Sequence, residues 1–311
     1  MERTSNADFC REEDRVWFGQ YPKSQVGRHH ARALTKRALP LPTEENANNW
    51  TDFGYYVGGQ SVPYAWYIDL ECGGKTYRGV YFDRYRPYST QYYCTSREKS
   101  DVFANGWYIK TVYWFRYEPI EWRVVGEDGG ALTLVATDVL DSQAFNNRDE
   151  NANLYGLSTL RDWLNDHFLY TAFDTNDMRR LVAGRLKVAG VCPKGNPDDW
   201  AEACRNVEIA DKVTLPSVAD MLCPAFAEGN NQYALGNKWA FGPTEYAKCM
   251  GAWHREMSFH CEGDDRESGT WWLRDLGTYK HTAQAVHNLL LDEIDTQYTG
   301  IGVLPSVRIW K

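Results

Sequence analysis

Four side chains that lie close together in the sequence could bind a metal. Cys249, His254, His260 and Cys261 fall within residues 249–261, and thiolate and imidazole groups are usual ligands of zinc. Their spacing fits no common zinc finger, and an adjacent histidine and cysteine are difficult to fold around one tetrahedral ion. The favoured interpretation is therefore buried thiols beside surface histidines, with zinc as the alternative, and no cofactor is predicted.

The same segment contains the residues that a thiol-based enzyme would need. Cys261 follows His260, with Asp264 and Asp265 nearby, but neighbours in sequence are rarely catalytic partners. The sequence has no nucleophile elbow, no phosphate-binding loop, no dinucleotide fingerprint and no His-Glu-x-x-His zinc motif. These absences favour a protein that binds over one that catalyses, with an enzyme using Cys249 or Cys261 as the alternative.

Strand patterns dominate the first half of the chain. Residues 75–82 and 111–117 are rich in β-branched and aromatic side chains and are bounded by Gly or Pro, which predicts strands. Residues 120–125 and 131–136 flank an Asp-Gly-Gly turn at 128–130, and this arrangement predicts a hairpin. Residues 271–274 and 303–310 are strand-like again.

After residue 150 the apolar period changes from about 2 to about 3.6 residues, which indicates helices. Ser158 is the predicted N-cap of a helix that buries Leu160, Trp163, Leu164 and Phe168. Further short helices are predicted after Asp174 or Thr175, after a capping box formed by Ser217 and Asp220, and after Pro243.

The order of these elements predicts an α+β protein with β elements at both ends and short helices in the middle. Residues 1–14 form a polar tail, and residues 15–311 form a single domain. Within it, residues 15–137 are the aromatic, β-rich half and residues 138–311 contain the helical middle and the C-terminal strands. Residues 28–50, which begin with a basic run, are predicted to be a loop excursion.

Charge and hydropathy limit the class of protein. The 311 residues include 34 Lys and Arg against 42 Asp and Glu, a net charge of −8, which disfavours nucleic acid as a partner. The longest apolar runs are far shorter than the roughly 20 residues needed to cross a bilayer, so no membrane insertion is expected. The polar N-terminus lacks a signal peptide, which favours a cytoplasmic location, while association with a surface stays open.

The eight cysteines show no CxxC pair and are read as thiols in a reducing compartment. Pairing of Cys192 with Cys204, or of Cys249 with Cys261, stays open because sequence does not supply the required geometry.

Aromatic residues are unusually frequent, with 13 Trp, 20 Tyr and 12 Phe. Trp122, Trp163 and Trp272 lie in periodic apolar patterns and are assigned to the core. The arginines beside tryptophans, Arg123, Arg161 and Arg274, are assigned to ion pairs or stacking more readily than to ligands. Thirteen tyrosines lie between residues 55 and 117 and are assigned partly to the surface.

Motifs in a fixed order over almost the whole chain resemble a bacterial family known as domain of unknown function 6273. They are residues 18–24 (FGQYPKS), 77–80 (YRGV) with 85–88 (YRPY), 112–124 (VYWFRYEPIEWRV), 158–165 (STLRDWLN) and 271–274 (WWLR). The resemblance implies a fold like the C-type lectin and formylglycine-generating-enzyme superfold, in which the terminal strands pair and a loop-built face lies above a tryptophan-rich core. It implies no activity.

The chain departs from the family pattern near its C-terminus. Asp275-Leu276 replaces the usual Ser-Pro, Leu304 replaces an arginine, and residues 281–295 lack a glycine-centred turn and are compatible with a helix. The calcium-binding motifs of lectins, which present carboxylate and amide ligands together, are also missing.

The leading hypothesis is a non-catalytic module that binds a protein or glycan through a face near the C-terminus. The proposed ligand-binding residues occupy the place where lectin-fold proteins diversified by retroelements carry variable positions; they are Tyr279, Lys280, His281, Thr282, Gln284, His287, Asn288, Gln297 and Tyr298. The alternatives are an oxidative enzyme of the formylglycine-generating type and a structural subunit without a small ligand. The sequence does not fix the oligomeric state.

Overall fold

The computed structural model describes residues 10–12, 14–53, 56–57, 60–61, 65–83, 107–108, 110–147, 152–195, 197–222, 241–253, 269–287 and 289–311. The strands are β1 (Cys10–Glu12), β2 (Arg15–Gln25), β3 (Thr51–Asp52), β4 (Tyr56–Val57), β5 (Gln60–Ser61), β6 (Ala65–Cys72), β7 (Lys75–Phe82), β8 (Val112–Asp128), β9 (Ala131–Ala136), β10 (Asp141–Ser142), β11 (Gly184–Val191), β12 (Arg205–Asp211), β13 (Val213–Thr214), β14 (Thr270–Leu276), β15 (Thr282–His287), β16 (Leu290–Asp295), β17 (Gly302–Val303) and β18 (Ser306–Trp310).

The α-helices are short. They are α1 (Arg28–Arg37), α2 (Thr159–Trp163), α3 (Leu169–Ala172), α4 (Thr175–Arg180), α5 (Trp200–Ala203), α6 (Val218–Met221) and α7 (Glu245–Cys249). A π-helical segment, Leu164–Phe168, joins α2 to α3, and a 3-10 turn, Tyr155–Leu157, precedes α2. With two larger sheets and these helices, the architecture is α+β, as predicted.

The long strand β8 organises the largest sheet, whose order is β13-β18-β9-β8-β7-β6-β3. Its first part pairs with β7 and its last part with β9, while β2 runs antiparallel to it from Phe115 to Arg123. The predicted hairpin is confirmed: β8 and β9 are joined by Gly129 and Gly130, which both have positive φ angles.

The FGQYPKS motif forms a bulge in β2. Gly19 has a φ of 65°, and a Cβ there would lie 2.7 Å from the ring of Phe173. The carbonyl of Phe18 accepts a hydrogen bond from Trp122 Nε1 at 3.0 Å. Glycine is therefore required for the turn of the backbone and for its close approach to the helical layer.

A second sheet carries the C-terminal elements in the order β10-β17-β14-β15-β16. β14, β15 and β16 are antiparallel neighbours, and β17 runs parallel to β14. The expectation of a helix between residues 281 and 295 is wrong. The chain turns at Leu289, which adopts a φ of 63°, so the hairpin forms without a central glycine.

The caps of the helices follow the sequence. The side chain of Ser158 accepts a hydrogen bond from the Arg161 backbone at the start of α2. Asp174 with Asp177, and Ser217 with Asp220, form capping boxes for α4 and α6. Thr244 caps α7. These local signals could be read directly because each cap satisfies backbone N–H groups within three residues.

The predicted loop excursion over residues 28–50 instead begins with α1. The helix has no side-chain N-cap, but Leu34 is completely buried and Trp114 Nε1 donates a hydrogen bond to Thr35 Oγ1 at 3.0 Å. Lys36 and Arg37 lie in its last turn, where positive charge interacts favourably with the helix dipole. Docking on the sheet, and not a local signal, stabilises this helix.

The sheets and helices enclose two apolar cores. The larger lies between the two sheets and the helices and contains Trp122, Trp271 and Trp272, all completely buried. The smaller lies between α1 and strands β6, β7 and β8, with Trp114 at its centre. The assignment of Trp122 and Trp272 to the core is confirmed, and Trp163 is half-buried against it.

Several tyrosines of the region between residues 55 and 117 are also packed. Tyr77, Tyr81 and Tyr117 are buried, Tyr67 is half-buried, and Tyr108 is exposed. Tyr55, Tyr64, Tyr85, Tyr88, Tyr92 and Tyr93 lie outside the described residues.

The N-terminal strands β1 and β2 and the last strand β18 belong to the same sheet, but β18 pairs with neither β1 nor β2. β18 pairs with β9 and β13, whereas β2 pairs with β1 and β8. In the part of the chain that the structure describes, this arrangement differs from the direct pairing of terminal strands that the lectin-like resemblance implies. No helix among the described residues has the length and apolar character needed to cross a membrane.

Candidate ligand-binding face

The proposed ligand-binding residues lie on and around one hairpin of the second sheet. Residues 277–281, here called the aromatic turn, connect β14 to β15. Thr282, Gln284 and His287 belong to β15, and Gln297 and Tyr298 lie in the turn after β16. Asn288 lies outside the described residues.

The carboxylate of Glu293 in β16 holds the aromatic turn in place. It accepts hydrogen bonds from the backbone and hydroxyl of Thr278 at 2.8 and 2.7 Å, from Thr282 Oγ1 at 2.8 Å and from Gln284 Nε2 at 3.2 Å. Partial burial raises the pKa of Glu293, but these hydrogen bonds outweigh it, so its pKa is lower than the ordinary value. Glu293 is therefore a charged anchor for the turn at neutral pH.

Close backbone approach fixes the other side of the turn. The N–H of Gly277 donates to the carbonyl of Thr282 at 3.1 Å. A Cβ on residue 277 would lie 2.5 Å from that oxygen and 2.3 Å from Thr282 Oγ1. Only glycine allows this approach, so the turn is specified by its sequence as well as by Glu293.

The rings of Tyr279 and His281 form the exposed surface of the turn. Their centroids are 5.9 Å apart with an interplanar angle of 21°, and 59% of Tyr279 is exposed. Because both rings are accessible and stacked, they present a flat aromatic surface with polar edges.

A support beneath the turn comes from a different part of the chain. Asn153 Nδ2 donates to the carbonyl of Tyr279 at 2.9 Å, and Asn153 Oδ1 accepts from Trp200 Nε1 at 2.8 Å. The ammonium group of Lys280 lies 5.7 Å from the centre of the Trp200 ring, within the range of a cation–π interaction. Helix α5 therefore positions the turn through Trp200.

The remaining predicted residues divide into two groups. The backbone of Thr296 donates to the carbonyl of His281, so Gln297 and Tyr298 lie near the aromatic turn, although Tyr298 packs partly against the core. His287 lies at the opposite end of β15, about 17 Å along the strand from Thr282. The predicted residues thus do not form a single patch.

His287 has a structural environment of its own. Its ring lies 4.6 Å from that of Trp253, and its Nδ1 is 3.2 Å from Thr270 Oγ1. Burial lowers the pKa of His287, and the charge of Asp292 opposes this shift. A half-buried imidazole whose charged form is disfavoured by burial supports packing at the end of the hairpin.

Sequence reasoning missed Glu293, Asn153 and Trp200. The signal that identifies Glu293 is the strand register, which pairs Gln284 with Glu293 across β15 and β16. That register could not be recognised while residues 281–295 were interpreted as a helix.

The candidate metal residues are only partly described. Cys249 is 1% exposed in α7, whereas His254, His260 and Cys261 lie outside the described residues. Among the residues that the structure describes, no three His, Cys, Asp or Glu side chains are grouped as metal ligands. Cys192 and Cys204 are both thiols. Burial raises the pKa of Cys204, and the nearby Cys192 raises it further.

The arginines beside tryptophans form ion pairs. Arg161 makes a two-pronged contact with Asp211 at 2.6 and 2.8 Å, and Arg274 contacts Asp220 at 2.7 Å. Arg123 lies 3.5 Å from Asp14. Asp211, Asp220 and Arg274 line a pocket of about 230 Å³, but their charges are already paired with one another or with Arg161. Arg161 and Arg274 therefore connect the STLRDWLN and WWLR motifs to strand β12 and helix α6.

A comparison with known protein families assigns the segment that contains the STLRDWLN and WWLR motifs to one family. The protein is an α+β protein whose C-terminal sheet carries the aromatic turn. Residues 129–303 match the family described as Domain of unknown function (DUF6273), and the chain belongs to that family. No curated protein and no solved structure matches it. The match includes the aromatic turn, Glu293, Arg161 and Arg274, but not β2, α1 or β8.

Proposed function

We propose that the protein is a non-catalytic binding module that recognises a protein or glycan ligand through the aromatic turn and the adjoining part of β15. The observation that carries the proposal is the exposed stack of Tyr279 and His281 on a turn held by the four hydrogen bonds to Glu293. An exposed aromatic pair on a rigid support is the arrangement that binding surfaces use to gain contact area at low cost in entropy.

The rigidity of the turn supports binding over a purely structural role. A turn that serves only to connect two strands does not need a charged anchor, a buried amide such as Asn153 and a tryptophan from a distant helix. These contacts reduce the conformational freedom that a ligand would otherwise have to remove. The side chains of Tyr279 and His281 remain available for contact.

The lectin-like fold and the idea of diversified positions belong to this proposal. Tyr279, His281 and Gln297 can change without loss of the anchor. Thr282 and Gln284 bind Glu293 and are therefore constrained by the structure. Sequencing the gene neighbourhood tests diversification, since the idea requires a template repeat or a reverse transcriptase nearby.

Binding is tested with a glycan array and with pull-down from a native lysate, each with three proteins. The wild type is compared with Tyr279→Ala and with Tyr170→Ala, a matched control because Tyr170 is 65% exposed and lies in helix α3. The proposal expects a ligand whose binding falls at least tenfold in Tyr279→Ala and is retained in Tyr170→Ala. A ligand that binds all three equally would show that the aromatic turn is not the site.

A second set of outcomes concerns the class of ligand. If the array identifies sugars and the free sugar competes for binding, the ligand is a glycan. If the pull-down gives one protein that still binds after purification, the ligand is a polypeptide. Failure to find any ligand that depends on Tyr279 would contradict the proposal.

A further inference from the structure

A groove formed by residues that precede the family match at 129–303 is lined by cationic side chains. It lies between α1 on one side and Tyr108 and residues 111–114 on the other, and has a volume of about 990 Å³. Arg28, Arg32 and Lys36 line it at intervals of four residues, and His29 adds a fourth basic side chain. Because residues four apart in a helix lie on the same face, the three cations form a row along the groove.

The charge of the groove is opposite to that of the whole chain. The protein has a net charge of −8, yet no Asp or Glu is present among the described residues that line the groove. The carboxylate of Glu245, which does not line the groove, accepts a hydrogen bond from the backbone of Gln25, which does. An anionic ligand is therefore the electrostatic complement of this surface.

These cations differ from three arginines that are paired in the sheets and helices of the fold. Arg78, Arg161 and Arg274 each contact a carboxylate. Within the described part of the chain, Arg28, Arg32 and Lys36 make no ion pair, and all three are exposed. Their charge is thus available to a ligand at little cost, since no internal partner has to be displaced.

The walls of the groove are apolar and fixed. Val26 and Val112 contribute partly exposed apolar surface, and Trp114, which is completely buried, is anchored by its hydrogen bond to Thr35. Tyr108, which is exposed and also lines the groove, donates a backbone hydrogen bond to the hydroxyl of Tyr113 at 2.8 Å. A row of cations beside apolar and aromatic walls fits a ligand with alternating acidic and uncharged groups.

The spacing selects an extended polypeptide. Four residues of helix rise about 6 Å, and alternate residues of an extended chain lie about 6.6 Å apart on one side. Acidic side chains at every second position would therefore meet Arg28, Arg32 and Lys36 in turn, while the intervening side chains face away. A nucleic acid is the weaker match because the −8 charge repels a long polyanion on either side of so short a row.

We infer that this groove binds an acidic segment of a partner protein in extended conformation. The probe is a fluorescein-labelled peptide of alternating Glu and Ser, measured by fluorescence anisotropy with the full chain. Its controls are the same peptide with Gln in place of Glu and a single-stranded oligonucleotide of equal charge. The inference expects the Glu peptide to bind more tightly than both, with an affinity that decreases as salt is added.

The matched variants separate the groove from overall charge. Arg28→Glu/Arg32→Glu/Lys36→Glu reverses the row, while Arg37→Glu/Lys75→Glu/Lys194→Glu makes the same change in net charge at exposed residues outside the groove. Binding of the Glu peptide should fall at least tenfold in the first variant and less than threefold in the second. Substituting Gln for the three groove cations gives a milder variant if charge reversal unfolds α1, which circular dichroism would detect.

Three outcomes would overturn the inference. They are the absence of binding by the Glu peptide, an equal loss of affinity in both charge variants, and tighter binding of the oligonucleotide than of the peptide. The last outcome would assign the groove to nucleic acid instead.

Discussion

The hydroxyl of Tyr21 donates a hydrogen bond of 2.6 Å to Oδ2 of Asp141, although both residues are completely buried. The backbone N–H of Ser142 donates to the other carboxyl oxygen at 2.7 Å. Burial raises the pKa of Asp141 to about 7, while the two hydrogen bonds and the charge of Arg78 act in the opposite direction. A core carboxyl group of this protein therefore titrates near neutral pH.

We predict that this carboxyl group makes the protein less stable as the pH rises. An unfolded Asp has a pKa near 3.8, so between about pH 4 and pH 7 the folded state binds more protons than the unfolded state. The free energy of unfolding should fall by about 3 kcal/mol between pH 5 and pH 8 because of this one group.

The variant Asp141→Asn cannot ionise and should lack this contribution. Urea unfolding of both proteins across the same pH range measures the difference between their free energies of unfolding. Groups that titrate in both proteins, such as Asp177, contribute equally and cancel in that difference. Parallel stability curves for the wild type and the variant would contradict the prediction.

The contact between Gly79 and Trp114 supports α1. A Cβ on residue 79 would lie 2.8 Å from the Trp114 indole, which in turn donates to Thr35. Gly79→Ala should therefore displace the ring and destabilise the fold by about 1–3 kcal/mol, as expected for an overpacked core. Gly126→Ala is the control because its Cβ would meet Thr133 at an ordinary 3.8 Å. Equal effects of the two substitutions on urea unfolding would show that the contact with Trp114 is not the cause.

The ion pair between Arg161 and Asp211 should be important because its carboxylate is buried. The side chain of Asp211 is only 7% exposed, so Arg161→Ala leaves a charge with little solvent and no partner of equal strength. Because the Arg161 side chain is 25% exposed, the expected loss lies at the lower end of the roughly 3–5 kcal/mol that removal of one partner of a fully buried pair costs. Arg185→Ala removes an exposed pair with Glu208 and should cost less than about 1 kcal/mol. Thermal unfolding of both variants checks the ranking, which a similar loss in both would overturn.

Local elements of the fold could be predicted from sequence, whereas pairings between distant segments could not. Ser158, Asp174, Ser217 and the turn at residues 128–130 act within a few residues and were identified correctly. Helix α1 could not be, because its stability depends on burial of Leu34 against strands that lie far away in the chain. The position of β18 beside β9 is likewise set by contacts across more than 170 residues of sequence.

Prediction of the candidate ligand-binding face from sequence is limited in the same way. Tyr279, His281 and Gln284 were selected by their position in the chain, but Glu293 becomes visible only when β15 and β16 are paired in register. A turn centred on Leu289 with a positive φ angle has no sequence signal as strong as glycine. For that reason Glu293 and its partner Thr278 were missed, although its partners Thr282 and Gln284 had been selected.

The anchor itself can be tested with Glu293→Gln, which keeps the shape and removes the charge. One carboxylate oxygen becomes an amide group that donates, so it opposes the fixed N–H of Thr278 or the amide of Gln284. Amide exchange at Thr278 should become at least tenfold faster, while exchange in β14 stays unchanged. Glu71→Gln, an exposed residue in β6, is the matched control.

Acid should reproduce the effect of this substitution in the wild type. Because the pKa of Glu293 is below its ordinary value, its stabilising effect is complete at neutral pH and is lost as the pH falls through the folded-state pKa. The wild type should then approach Glu293→Gln in its exchange at Thr278 on acidification, after correction for the intrinsic pH dependence of exchange. If the two proteins exchange alike already at neutral pH, the carboxylate does not hold the turn, and the rigidity on which the proposed binding face depends must come from Gly277 and Asn153 instead.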